Sequence, residues 1–102
     1  MADRLRFHPL VASDLRDAIA WYDGISIQLG NRFRKMVNDR FDQIADHPKK
    51  FAVAYEDVRF ARVKRFPYLV LFSERRDAIF VLGVFHGASD PMKWGHRSGE
   101  TQ

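Results

Sequence analysis

The apolar side chains change their period partway along the chain, and that change restricts the fold more than any other feature. Up to Asp46 they recur every three or four positions: Leu15, Ala18, Ile19 and Tyr22, then Leu29, Phe33, Met36, Val37, Phe41, Ile44 and Ala45. That spacing lines up one face of an α-helix. Beyond Val58 the apolar runs are short, rich in β-branched and aromatic residues, and either alternate or stay apolar throughout, as strands do. A chain with its helices in one half and its strands in the other builds an α+β fold, its helices gathered on one face of a largely antiparallel sheet.

Local signals set the boundaries. Ser13 suits an N-cap, with Asp14 in the first turn where the helix dipole favours negative charge, and Gly24 ends that helix. Ser26 caps a second helix, which Asp46-His47-Pro48 stops. Its roughly 19 residues span about 28 Å, enough to cross a sheet, and the short link makes the two an antiparallel hairpin. His47, at the helix end, reads as a cap. Arg4-Leu5-Arg6-Phe7-His8, closed by Pro9, reads as an edge strand. Residues 49–57 read as a loop. Three strands follow over residues 58–65, 68–74 and 78–86, broken at Phe66-Pro67 and at the polar turn Arg75-Arg76-Asp77. The last is apolar on both faces and belongs inside the sheet. The expected order is β-α-α-β-β-β, a helical hairpin packed on a mainly antiparallel four-stranded sheet. Residues 1–97 form one domain in this reading and residues 98–102 a flexible tail.

At 102 residues there is room for one domain, and a 46% hydrophobic composition with nine phenylalanines can fill its core. Cysteine is absent, which excludes a disulfide framework and thiolate metal sites and suits a reducing compartment. Neither a signal peptide nor a membrane-length apolar run is evident, so a cytoplasmic protein with no membrane partner is expected. No metal-binding spacing occurs, and no cofactor is expected. A formal charge of +4 and a pI near 9.8 favour an anionic partner, nucleic acid or acidic protein.

Several residues stand in an order that resembles the RelE/ParE toxin superfamily. They are Asp14-Leu15 opening the first helix, Trp21-Tyr22 near its end, Phe33 in the second, Arg65-Phe66-Pro67-Tyr68 at a strand turn, and then His86, Asp90-Pro91, Trp94 and Arg97. The resemblance covers about residues 5–97. It implies the toxin half of a bacterial type II toxin–antitoxin system, a growth inhibitor neutralised when an acidic segment of its cognate antitoxin wraps the basic domain. RelE-like members cut messenger RNA on the ribosome. ParE-like members bind DNA gyrase and poison it without hydrolysing anything. Others on this fold have no settled target, and a third expectation for this chain is an inert relative that keeps the fold and the partner without the toxicity.

The three outcomes assign different residues. Cleavage by a 2′-hydroxyl needs a group to take its proton, a group to protonate the leaving oxygen, and cations around the phosphorane. His86, whose imidazole type titrates near neutrality, is the acid–base candidate. Arg62 and Lys64, on one strand face by period-two alternation, and Arg97 are the candidate cations. The plainer reading makes Arg62 and Lys64 the clothing of a sheet face that must be polar, and His86 a pin for the next loop through Asp90. Trp94 closes over the core, and Trp21 and Tyr22 pack within the hairpin. Ser89 stands where many members of the superfamily carry arginine, and it cannot supply a bidentate cation to a phosphate. In the gyrase alternative the contacts come from the C-terminal segment and exposed hairpin residues such as Arg32 and Arg34.

Overall fold

In the computed structural model, which describes residues 4–89 and 94–97, the helical half forms α1 (Val11–Ile25) and α2 (Ile27–Asp46). Ser26 alone links them, in an extended conformation, and its Oγ accepts the Leu29 N–H at 3.0 Å. A cap of this kind contributes about 1 kcal/mol. α1 starts two residues before the expected Ser13 cap. The Ser13 hydroxyl donates to the Leu10 carbonyl instead, and the Leu10 N–H is taken by Nδ1 of the buried His8, both at 3.0 Å. α1 also runs on through Gly24 to Ile25. α2 ends where Pro48 opens a single 3-10 turn (Pro48–Lys50).

The strands are β1 (Leu5–Phe7), β2 (Val53–Tyr55), β3 (Val58–Arg62), β4 (Tyr68–Glu74) and β5 (Ile79–His86), in the spatial order β1-β5-β4-β3-β2. β1 runs parallel to β5, and every other pairing is antiparallel. The sheet therefore has five strands rather than four, because β2 lies in the stretch read as a loop. Its three residues show no alternation to read. They are brought onto β3 by a tight turn in which Glu56 takes a left-handed φ of 46°. β3 stops at Arg62 instead of 65, since Val63-Lys64-Arg65-Phe66 closes a turn through Phe66 N–H to Val63 O at 3.0 Å. β1 is an edge strand as expected, and β5 lies inside the sheet between β1 and β4. The tail expected over residues 98–102 lies outside the described residues, as does Asp90-Pro91.

One sheet face packs on the helices around Phe33, Val37, Ile44, Val70, Phe72, Ile79 and Val81. At the end of the sheet where β5 finishes, the Phe33 ring sits 5.1 Å from Tyr22, 5.0 Å from Phe66 and 5.2 Å from Tyr68. The edge contacts with Phe66 and Tyr68 tie the hairpin to the start of β4, and the tilted Tyr22–Phe33 pair joins α1 to α2. The other face was expected to be polar, and it is not. Val58, Leu71, Leu82 and Phe85 are buried there, with Phe60, Phe80 and Trp94 packed on them. The reason is that β4 and β5 carry apolar residues on both sides: Leu71 and Phe72 point opposite ways, as do Val81 and Leu82. Among the described residues no helix is long and apolar enough to cross a membrane.

Candidate functional site

The family-like residues gather at that end of the sheet. Two backbone bonds brace it, Val63 N–H to Tyr68 O at 2.9 Å and Gly87 N–H to Pro67 O at 2.7 Å. His86, the last residue of β5, is exposed, pairs with Tyr68 across the ladder and sets its ring edge-on to Tyr68 at 5.3 Å. Its Nδ1 accepts the Ala88 N–H at 3.0 Å. Burial raises the phenol pKa of Tyr68, helped by the nearby Asp17 carboxylate; burial raises that of Tyr22 too, with Tyr68 adding to it. Both hydroxyls stay protonated beyond the ordinary tyrosine range.

The candidate cations do not join His86. Arg62 pairs with Leu69, which pairs with Phe85, so Arg62 shares the face that carries Phe85 while His86 lies with Tyr68 on the helix side. Two strand spacings, about 10 Å, and the thickness of the sheet separate them. Lys64 is off the strand altogether. It sits in the turn and lines a groove of about 370 Å³ with Met36, Asp39, Arg40 and Gln43 of α2. Arg62 and Lys64, expected on one face, part to two sides because the strand ends between them. Arg65 completes the turn at a φ of 72°, a left-handed conformation that an L side chain adopts only under strain.

Arg97 is engaged elsewhere. Its guanidinium makes two 2.9 Å bonds to the Asp14 carboxylate, donates to the Leu82 carbonyl at 2.9 Å and lies 4.8 Å over the Phe85 ring. Asp14 Oδ2 also accepts the Val84 N–H at 3.1 Å. β1 is too short to reach this part of β5, so the Asp14–Arg97 pair supplies the hydrogen bonds that a longer edge strand would have made. Gly83 makes the seat: a Cβ there would lie 2.4 Å from the Phe85 ring and 2.7 Å from Arg97 Nη1. Sequence reasoning gave Asp14 to the helix dipole and missed the latch. The available signal was an isolated glycine in an apolar strand, which marks a close approach.

Around this latch Trp94 packs on Phe85 at 6.2 Å, as expected, and its Nε1 donates to Ser89 Oγ at 3.4 Å. Ser89 in turn bonds the His86 carbonyl through both its N–H and its hydroxyl. The hairpin departs from expectation at one residue. Tyr22 is buried, but Trp21 is 68% exposed, and with Ile25 and Ile27 it forms an apolar tip at the junction of α1 and α2. Trp21 and Ile25 are one helical turn apart and off the buried Ala18–Tyr22 stripe, a pattern legible in the sequence. Of the hairpin arginines, Arg34 pairs with Asp23 and Asn31, while Arg32 is exposed. This end thus offers an apolar tip, a basic turn and an exposed imidazole, with no point among the described residues where His86, Arg62, Lys64 and Arg97 all meet.

A family model described as the ParE toxin of type II toxin-antitoxin system, parDE, matches residues 5–91. Toxin ParE2 of Mycobacterium tuberculosis, in strains CDC 1551 / Oshkosh and ATCC 25618 / H37Rv, is 30% identical over 92 residues, 89% of this chain and 88% of the relative. A chain of a solved structure titled "Chromosomal ParDE TA system from P. aeruginosa" aligns with a TM-score of 0.65 at 20% identity, covering 80% of this chain and 92% of that one. At that identity the likeness is one of fold.

Proposed function

This chain belongs to the ParE toxin family of type II toxin–antitoxin systems, and we propose that it arrests growth by binding DNA gyrase rather than by cutting RNA. As the toxin half of such a system, its partner is a cognate antitoxin. The observation that carries the proposal is the dispersal of the nuclease set. His86 faces the helix side, Arg62 the opposite face and Lys64 the α2 groove, while Arg97 is paired to Asp14. Preorganised charge stabilises a transition state only when its donors converge on the position where charge develops, and these do not. The exposed Trp21, Ile25 and Ile27 add support, since protein contacts are built around aromatic and aliphatic anchors. The net charge of +4 also suits an antitoxin with an acidic covering segment.

The test is a supercoiling assay with purified gyrase, run beside mapping of new RNA 5′ ends in a purified translation system. Loss of supercoiling, retained in His86→Ala and weakened in Trp21→Ala, is the expected result. Cuts inside ribosome-bound codons that disappear in His86→Ala would overturn the proposal.

A further inference from the structure

The β3–β4 turn carries three exposed cations within four residues, Arg62, Lys64 and Arg65. None of their side chains makes an ion pair or hydrogen bond among the described residues. Elsewhere the basic side chains are commonly spoken for: Arg34 by Asp23, Lys35 by Asp39, Arg4 and Lys49 by Glu74, and Arg97 by Asp14. Beside the turn, Arg40 adds a fourth positive charge, fixed by Nε donating to the Arg62 carbonyl and Nη1 to Gln43 Oε1, both at 2.6 Å. The one carboxylate of the adjoining groove, Asp39, is already bridged to Lys35 at 3.1 Å.

The turn is held in place. Val63 is buried at its base, its N–H and carbonyl bond Tyr68 and Phe66, and Pro67 is tied to Gly87. Arg65 keeps its left-handed φ of 72° where a glycine would relax the turn. From these observations we infer that the β3–β4 turn is a contact surface for the phosphate backbone of duplex DNA, used through Arg62, Lys64 and Arg65.

Three features select this occupant. The cations sit at a corner where the strand ends, all exposed, and leave it in different directions, Arg62 from one sheet face and Lys64 toward α2. Such a corner cannot close round one small anion, but it can meet successive phosphates of a polymer. A protein partner would ask for an apolar core to the interface, and none of the large exposed apolar residues, Phe7, Leu10, Trp21, Ile25, Ile27 and Val53, belongs to the turn. A single strand would ask for aromatic faces to stack on, and the adjacent Phe66 and Tyr68 are engaged with Tyr22 and Phe33. Backbone neutralisation needs neither. The inference deepens the gyrase reading, on which its biological use rests: gyrase works on duplex DNA, so a toxin that touches both would grip the enzyme at its substrate.

The experiment is fluorescence anisotropy of a labelled mixed-sequence 20-base-pair duplex titrated with the purified toxin at several salt concentrations, without gyrase. Three phosphate contacts give a slope of log K against log salt of about −3, and non-specific dissociation constants of about 10⁻⁴ to 10⁻⁶ M at physiological salt. Arg65→Gly, which relaxes the turn while removing one cation, should reduce the slope by about 1. Arg62→Gln/Lys64→Gln/Arg65→Gly should remove most of the binding, with thermal unfolding checking that it still folds. Lys49→Gln/Lys50→Gln takes charge from the surface beside Pro48 and should leave the slope nearly unchanged. Equal losses in both sets would reduce the effect to net charge and overturn the inference. So would tighter binding of a single-stranded RNA of the same length, or of an acidic protein, lost in the same variants. Gyrase inhibition is measured in parallel. DNA binding without inhibition would sink the gyrase reading and leave the DNA surface standing; inhibition without DNA binding would do the reverse.

Discussion

Replacing Arg97 by alanine tests whether this residue serves the fold or a reaction. Its two bonds to Asp14 are parallel and 2.9 Å long, and the side chains are only 13% and 12% exposed. Removing one partner of a buried pair costs about 3–5 kcal/mol, because the other charge is left uncompensated. Some solvent still reaches this pair, so the lower end applies, about 3 kcal/mol. The Leu82 carbonyl loses its partner in the same step. Against a domain stability of about 5–15 kcal/mol, such a loss is large. It should lower Tm by about 12–24 °C, at about 4–8 °C per kcal/mol for a domain this size. The assay is urea unfolding followed by circular dichroism, with Arg97→Lys, Asp14→Ala and the double variant completing a cycle. Lysine keeps the charge but not the fork or the stack on Phe85, so it should recover less than half of the loss. The cycle should return a coupling of about 2 kcal/mol. An Arg97→Ala variant within about 0.5 kcal/mol of the parent, at an unchanged denaturant slope, would refute the reasoning. Loss of toxicity in that stable variant would return Arg97 to the candidate reactive groups.

Three further outcomes follow from neighbouring geometry. Gly83→Ala places a methyl against Phe85 and Arg97 and should cost about 2–3 kcal/mol by overpacking; combined with Arg97→Ala the losses should add to less than their sum, since the methyl already unseats the guanidinium. Arg65→Gly relieves a left-handed residue and should raise stability by about 0.5–1 kcal/mol in the same urea assay. The raised pKa values of Tyr22 and Tyr68 mean that the fold favours their protonated form. Their contribution is complete below the ordinary value of 10.0 and is lost as pH rises through the folded values. The urea midpoint should therefore fall between pH 9 and pH 11, and fall less in Tyr68→Phe; an equal fall in that variant would remove the tyrosines from the account.

The sequence carries the helices and inner strands clearly because each buries a periodic face. Phe33, Val37, Phe41 and Ile44 could only be one side of a helix, and residues 79–85 only a strand covered on both faces. β2 was illegible for the opposite reason. Val53, Ala54 and Tyr55 bury little, and their pairing is decided by a turn and a neighbour rather than by their own pattern. The same holds for the site. Arg62 and Lys64 obey the alternation of a strand only while the strand lasts, and the left-handed Arg65 that ends it belongs to a residue type with no preference for that conformation. Asp14 and Arg97 stand 83 positions apart, and no local signal joins them. Trp21 could have been placed: it falls off the apolar stripe that includes Ala18 and Tyr22.

The placement of β1 has a consequence for the order in which the molecule can be completed. Leu5 meets Ile79, and Asp14 meets Arg97 across 83 positions. The helical hairpin can form early on a ribosome, but its sheet edge stays open until the chain has been made through β5. At about 5–20 residues per second that interval lasts about 4–15 seconds. Throughout it, β1 has no strand to pair with and the Asp14 carboxylate has no arginine. Closure of the edge, and with it the braced turn and the corner it presents, waits for β5 and Arg97. A chain cut short before Arg97 would hold α1, α2 and all five strands but lack the latch over β5, so the finished surface depends on residues made well after the hairpin they fasten.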